Sequence, residues 1–205
     1  MHPSLLILFV KTPVPGQVKT RLAAQIGHPA ALAVYEALLT HLGQVAAAVQ
    51  ADKVVFYGNH IPEADRWSAA GYPRVLQAGD DIGTRMAAAF RWGFAQGYQH
   101  IGLVGSDIPG LSAAILQAGL DQLARHDYSL GPARDGGYYF IGMRELDEAV
   151  FAGKAWSTSQ VLADTLADMA AGGGMCYLLP ELSDVDEVGD LRGTFLESLI
   201  GDQKP

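Results

Sequence analysis

The chemistry-bearing side chains of this chain fall in loops, in groups of opposite charge. Lys11 to Leu22, KTPVPGQVKTRL, follows an apolar run and holds two prolines, a glycine and three cations. Pro13 and Pro15 stiffen a turn, Gly16 permits close approach of a backbone, and Lys19 and Arg21 can meet phosphate oxygens near the start of the next helix. The spacing is not that of a Walker A loop, and a solvated turn flanking a helix is the plainer alternative.

Two acidic segments answer it. In GSDIP, Gly105 to Pro109, an apolar run delivers Ser106 and Asp107 to a loop, where a carboxylate can hold Mg²⁺ or Mn²⁺ against a diphosphate, because hard cations prefer oxygen ligands. A helix cap or turn before Leu111 accounts for the same Asp. LSDVDEVGDL, Leu182 to Leu191, supplies Asp184, Asp186, Glu187 and Asp190. If Asp186 folds back toward Asp107, the two can share one divalent ion, whereas Asp190 suits the first turn of a closing helix.

A third group has the character of a substrate wall. In GPARDGGYYFIGM, Asp135 can accept hydrogen bonds from substrate hydroxyls and orient or deprotonate an acceptor, Gly136 and Gly137 allow close approach, and Tyr138 and Tyr139 must point to opposite faces of a strand. Only one of those tyrosines is therefore expected to line a pocket, and a plain hairpin turn is the alternative for the segment. In GDDIGTRM, Asp81 and Arg85 stand at a loop-to-helix junction where a base or phosphate can be read, and capping by Asp81 is the simpler role. In AWSTSQV, Ser157 and Gln160 match a capping box, and Trp156 and Thr158 become substrate contacts if that helix start faces the cleft.

Composition removes other classes. A formal net charge of -8 disfavours a nucleic-acid or acidic-membrane surface, since those partners are held by Lys and Arg. The six histidines show no paired metal-ligand spacing, so no zinc site is indicated, and Ser106 lies outside any G-x-S-x-G elbow. The single cysteine, Cys176, excludes an internal disulfide, reads as an inert core thiol and fits a reducing cytoplasm. No run reaches the roughly 18 apolar residues of a membrane span, and no repeat is present.

The elements that must position these loops alternate. Ser4 to Val10 reads as a strand buried on both faces; Pro29 to about Val49 carries a helical apolar stripe, Leu32, Tyr35, Leu38, Leu39, Leu42 and Val45; KVVFYG is a second strand. A short helix near Glu63 to Ala70, a weak strand RVLQA, a helix over GDDIGTRMAAAFRWGFAQG, the strand HIGLVGSD and a helix from Leu111 to Arg125 follow. YSLGPA, YYFIGM and MCYLLP are further strands, with a helix from Ser157 to Met169 and a closing helix beginning near Glu187. The expectation is one domain over residues 1–205, α/β, with a doubly wound, mixed and mostly parallel sheet and ligands beyond the strands' carboxyl ends.

Taken in order, FVKTPVPGQVKTRL, GDDIGTRM, LVGSDIPGL, GPARDGGYYFIG, AWST and DVDEVGDL resemble an uncharacterised bacterial family within the nucleotide-diphospho-sugar transferases of GT-A fold, from Leu5 to about Leu191. The chain is more distantly similar to 2-phospho-L-lactate guanylyltransferases and molybdenum cofactor guanylyltransferases. The resemblance implies that Lys11, Gly16, Lys19 and Arg21 sit on a nucleotide loop, that Asp107 takes the superfamily's metal position, and that Asp186 takes the second. SDIP departs from the Asp-x-Asp pattern of many GT-A glycosyltransferases by placing Ser106 where the first acid stands. The implied activity is metal-dependent glycosyl transfer from a nucleotide sugar to a small acceptor. Nucleotidyl transfer from a nucleoside triphosphate and a non-catalytic nucleotide-binding domain are the alternatives.

Overall fold

The apolar run at the N-terminus is strand β1 (Ser4–Val10), with every residue buried, at the centre of a computed structural model that describes residues 3–200. The other strands are β2 (Asp52–Tyr57), β3 (Arg74–Leu76), β4 (His100–Val104), β5 (Tyr128–Pro132), β6 (Tyr138–Met143) and β7 (Cys176–Leu178), joined in one sheet of order β3-β2-β1-β4-β6-β5-β7. Neighbours pair in parallel except β6, which runs antiparallel to both β4 and β5. The sheet is thus mixed and mostly parallel, as the close spacing of YSLGPA and YYFIGM suggested.

Alternation along β1 divides the core. Leu6, Leu8 and Val10 pack with Tyr35, Leu39 and Leu42 of α2 (His28–Ala48) and with Leu116 and Leu120 of α5 (Ala113–Gln122). Leu5, Ile7 and Phe9 face Met86 and Phe90 of α4 (Ile82–Ala95) and Met169 of α6 (Val161–Ala171). A third cluster joins α1 (Thr20–Ile26), through Leu22 and Ala23, to α2 and to Val185, Leu191 and Leu196, which anchors the C-terminal segment beside the first loop. The short α3 (Arg66–Ala69) is capped by Asp65.

Three expectations need correction. Helix α6 begins at Val161 with no side-chain cap, because Ser157 takes a positive φ of 65° and the Thr158 hydroxyl bonds Ala155 O; the Ser157–Gln160 capping box does not form. No α-helix follows Glu187: the segment makes only 3-10 turns at Val188–Leu191 and Glu197–Ile200, interrupted by Gly193 at φ 70°. A separate α1, ended by Gly27 at φ 83°, precedes the long helix. No uninterrupted run of about 18 apolar residues occurs, although α2 is by length and composition the one described helix apolar enough to cross a membrane. Glu36, His41 and Gln44 interrupt its apolar residues, and its buried stripe covers the sheet as a core helix does.

Candidate functional site

The strand order reverses between β1 and β4, the position where open α/β sheets leave a crevice at their carboxyl edge. Loops after β1, β2, β4 and β7 and the β5–β6 turn all reach that edge, since β6 starts where its antiparallel neighbours end. They enclose a cleft of about 670 Å³.

The first loop is stitched in place before it meets any ligand. Lys11 N–H donates to the Tyr35 hydroxyl at 2.8 Å, which donates to Lys11 O at 3.1 Å, and Asn59 clasps the backbone of Thr12 from both sides. Ser106 Oγ, 3.5 Å from the same hydroxyl, brings the β4 loop into this network. Burial first, with the charge of Asp107 adding to it and the Ser106 hydrogen bond opposing, pushes the Tyr35 phenol up to about 12. It remains a neutral tether.

The two acids and the two cations meet in pairs. Lys19, its side chain only 4% exposed, lies 2.9 Å from Asp107 Oδ1 and donates to Val185 O at 2.6 Å. Arg21 Nη1 lies 2.8 Å from Asp186 Oδ2, an exposed pair. Val185 N–H donates to Asp107 O at 3.0 Å, so the DVD segment does fold back beside Asp107, while Asp190 accepts from the N–H groups of Asp186 and Glu187. Asp184 stands behind them with its carboxyl raised, first by burial and then by the charges of Asp135 and Asp186.

Among the described residues, no cluster of three or more His, Cys, Asp or Glu is assembled to hold a metal. Asp107 and Asp186, each roughly half exposed and both on the cleft wall, nevertheless fit Mg²⁺, which commonly takes one or two carboxylates and completes its shell with substrate phosphates and water.

Elsewhere on the cleft wall, Asp135 Oδ1 accepts from Gly137 N–H at 2.8 Å and Trp156 packs on Gly83 of α4, where an added Cβ would lie 2.5 Å from the indole. Tyr138 and Tyr139 do point to opposite faces, one toward Met86 and the other bonding Pro180 O at 2.9 Å. Both nonetheless contribute to the cleft, because it wraps the end of β6 instead of covering one face. The expectation of a single lining tyrosine is corrected accordingly.

Of the residues singled out in the sequence, Lys11, Lys19, Arg21, Arg85, Ser106, Asp107, Asp135, Gly137, Tyr138, Trp156, Thr158 and Asp186 line this one cleft. Pro13, Gly16, Asp81 and Gly136 do not. Gly16, at φ 78°, serves the Val14–Gln17 turn that follows Pro13; Asp81 caps α4 through Thr84 N–H; Gly136, at φ 89°, packs on the backbone of Ser159. Sequence reading overlooked Gly58 and Gln77 on the wall, gave Ser157 only a capping role, and took Tyr35 only as part of an apolar stripe. Its hydroxyl was the available signal. Among the described residues, the non-glycine positions with positive φ are Lys19 at 47° and Ser157 at 65°, and both line the cleft. Such strain costs roughly 1–3 kcal/mol per residue and concentrates at functional sites.

Comparison with known proteins agrees with this fold. Residues 40–158 match the DUF2064 family, described as an uncharacterized protein conserved in bacteria. No curated protein matches the chain. A crystal structure from Desulfovibrio desulfuricans G20, assigned provisionally as a nucleotide-diphospho-sugar transferase, is 32% identical with a TM-score of 0.89, covering 98% of this chain and 94% of that one. A nucleotidyl transferase from Methanothermobacter thermautotroptrophicus shares 16% identity at TM-score 0.61 over 91% and 93% of the two chains. Glucosyl-3-phosphoglycerate synthase from Mycobacterium tuberculosis, in complex with Mg²⁺ and UDP, shares 10% at TM-score 0.54 over 96% and 76%. The chain belongs to the DUF2064 family and has the fold of the nucleotide-diphospho-sugar transferases.

Proposed function

We propose that the protein is a metal-assisted transferase that grips the diphosphate of a nucleotide at the β1–β4 switch point and transfers a glycosyl group from a nucleotide sugar to a small acceptor. The observation that carries this reading is the convergence of Lys19, Arg21, Asp107 and Asp186 in one cleft, in two cation–carboxylate pairs. A divalent ion held by Asp107 and Asp186 would neutralise charge developing on the diphosphate. Lys19 and Arg21 are then freed toward phosphate oxygens, exchanging one set of anionic partners for another. The nucleoside lies over β1, β2 and β3, and the acceptor over β6 and the start of α6, where Asp135 orients its hydroxyl or takes its proton.

Nucleotidyl transfer from a nucleoside triphosphate is the second reading, favoured by the two cations of the first loop, which suit a longer phosphate chain, and by a fold shared with a nucleotidyl transferase. Thermal-shift measurement across nucleoside triphosphates and nucleotide sugars tests both. A ligand at a hundred times its Kd should stabilise the protein by about 2.7 kcal/mol, and a flat response to every nucleotide would remove both readings.

A further inference from the structure

The charges along the cleft are unevenly placed. Its cations are Lys11, Lys19, Arg21 and Arg85. Lys19 and Arg21 belong to the switch-point pairs, Lys11 flanks Gly58 at the end of β2, and Arg85 is turned toward the β3–α4 loop by its Nε bond to Gly79 O at 2.9 Å. The wall over β6 and the start of α6 is formed by Asp135, Tyr138, Trp156, Ser157 and Thr158, with no Lys or Arg among them. Two cations lie close in sequence and are directed elsewhere. Arg134 is exposed beside Glu181 and does not line the cleft, and Lys154 is buried in an ion pair with Asp168.

A phosphate or carboxylate brought there would lose water against Asp135 without meeting an opposite charge, an arrangement that penalises binding. What the wall does offer is a fixed aromatic platform with polar groups at its rim. Trp156 is held from α4 by Gly83, which already meets its ring, and Asp135, Ser157 and Thr158 line the same cleft. Apolar area with a few placed polar groups is how small neutral ligands are held.

We infer that the acceptor is an uncharged, polyhydroxylated molecule that lays a ring face on Trp156 and presents a hydroxyl to Asp135, which makes the reaction glycosyl transfer and not nucleotidyl transfer onto a phosphate. The inference rests on the function proposed above. In the step, the acceptor O–H proton passes to the Asp135 carboxylate and the acceptor oxygen bonds the anomeric carbon. The bond from that carbon to the diphosphate oxygen breaks, and the nucleoside diphosphate leaves with the electron pair.

Matched pairs of neutral and phosphorylated acceptors test it, namely hexoses, pentoses and inositol beside their monophosphates, titrated calorimetrically into the protein with nucleoside diphosphate and Mg²⁺. At least one neutral member should bind about tenfold or more tightly than its phosphorylated partner, a loss of one to two contacts' worth of affinity for the charged form. Trp156→Ala should weaken that binding about tenfold while nucleotide affinity stays unchanged. Thr158→Lys, which supplies the missing cation, should narrow the preference against phosphate. Incubated with nucleotide sugars, the best neutral acceptor should release nucleoside diphosphate and no pyrophosphate. Tighter binding of any phosphorylated member, binding of no neutral one, or pyrophosphate release from a triphosphate would overturn the inference alone. Failure of every nucleotide to bind would overturn it together with the function on which it rests.

Discussion

Lys19 Nζ sits 2.9 Å from Asp107 Oδ1 and 2.6 Å from Val185 O, so one nearly buried ammonium ties the β1 loop to the β4 loop and to the segment carrying Asp186. Its backbone is left-handed, at φ 47° and ψ 45°, which side chains other than glycine rarely adopt. Replacing Lys19 by Ala should cost about 1–2 kcal/mol of stability, because Asp107 is half exposed and water can take over part of the lost partner's role. Arg21→Ala, at an exposed pair, should leave stability within about 0.5 kcal/mol of the wild type. Both should weaken nucleoside diphosphate binding about tenfold or more. Urea unfolding and calorimetry separate the two effects, and unchanged nucleotide affinity in both variants would remove the loop from phosphate binding.

Asp135 offers a cleaner test of chemistry. Its Oδ1 accepts from Gly137 N–H, a bond that the side-chain oxygen of Asn can also accept. Asp135→Asn should therefore keep the turn and the nucleotide affinity while turnover falls by roughly 10²- to 10⁴-fold. Full activity in this variant would reduce Asp135 to a turn residue, and lost nucleotide affinity would move it to the donor half of the cleft.

Gly136 should prove intolerant for a structural reason. At φ 89°, an added Cβ would lie 2.3 Å from Ser159 O, and the Gly136 carbonyl accepts from Leu162 N–H at the start of α6. Gly136→Ala combines a left-handed backbone with overlap against backbone and should destabilise by roughly 2–4 kcal/mol. A melting temperature close to that of the wild type would contradict this packing.

Acid sensitivity should have an identifiable contributor at the opposite edge of the sheet. Met175 N–H, 2.8 Å from Asp127 Oδ2, holds the Asp127 carboxyl below its ordinary range; burial opposes this and Arg144 reinforces it. A folded-state pKa below the unfolded value of about 3.9 stabilises the protein above that pH, and this contribution is lost as pH falls toward the folded value. Asp127→Asn should be less stable than the wild type at pH 7, with a gap that closes below about pH 4. Urea titrations at pH 7, 4 and 3 check the sign, since a gap that widens on acidification would contradict it.

The alternation of buried runs and helical stripes made the sheet legible, and the strand ends then located Lys19, Asp107, Asp135 and Asp186 without coordinates. What stayed hidden depends on long-range pairing. The sequence does not show that Lys19 and Arg21 are each matched to one acid across more than eighty residues, nor that Tyr35, packed in a core stripe, turns its hydroxyl to the first loop. The Ser157–Gln160 spacing suggested a cap, and the positive φ of Ser157, invisible in residue type, moved the helix start to Val161. Likewise, period-two alternation correctly separated Tyr138 from Tyr139 but could not show that the cleft wraps the strand's end.

The grip on the diphosphate is tested most directly by calorimetric titration of nucleoside diphosphates with and without Mg²⁺, using the wild type and the Asp107→Asn, Asp186→Asn double variant. In the wild type, Mg²⁺ should tighten binding about tenfold or more, because a bridging ion joins the two carboxylates to the phosphates. Mg²⁺ without nucleotide should bind weakly, since Lys19 and Arg21 already neutralise both acids. In the double variant the gain from Mg²⁺ should vanish while metal-free affinity stays equal or rises. A wild type that binds no nucleoside diphosphate, or binds it equally well with and without Mg²⁺, would contradict the assignment.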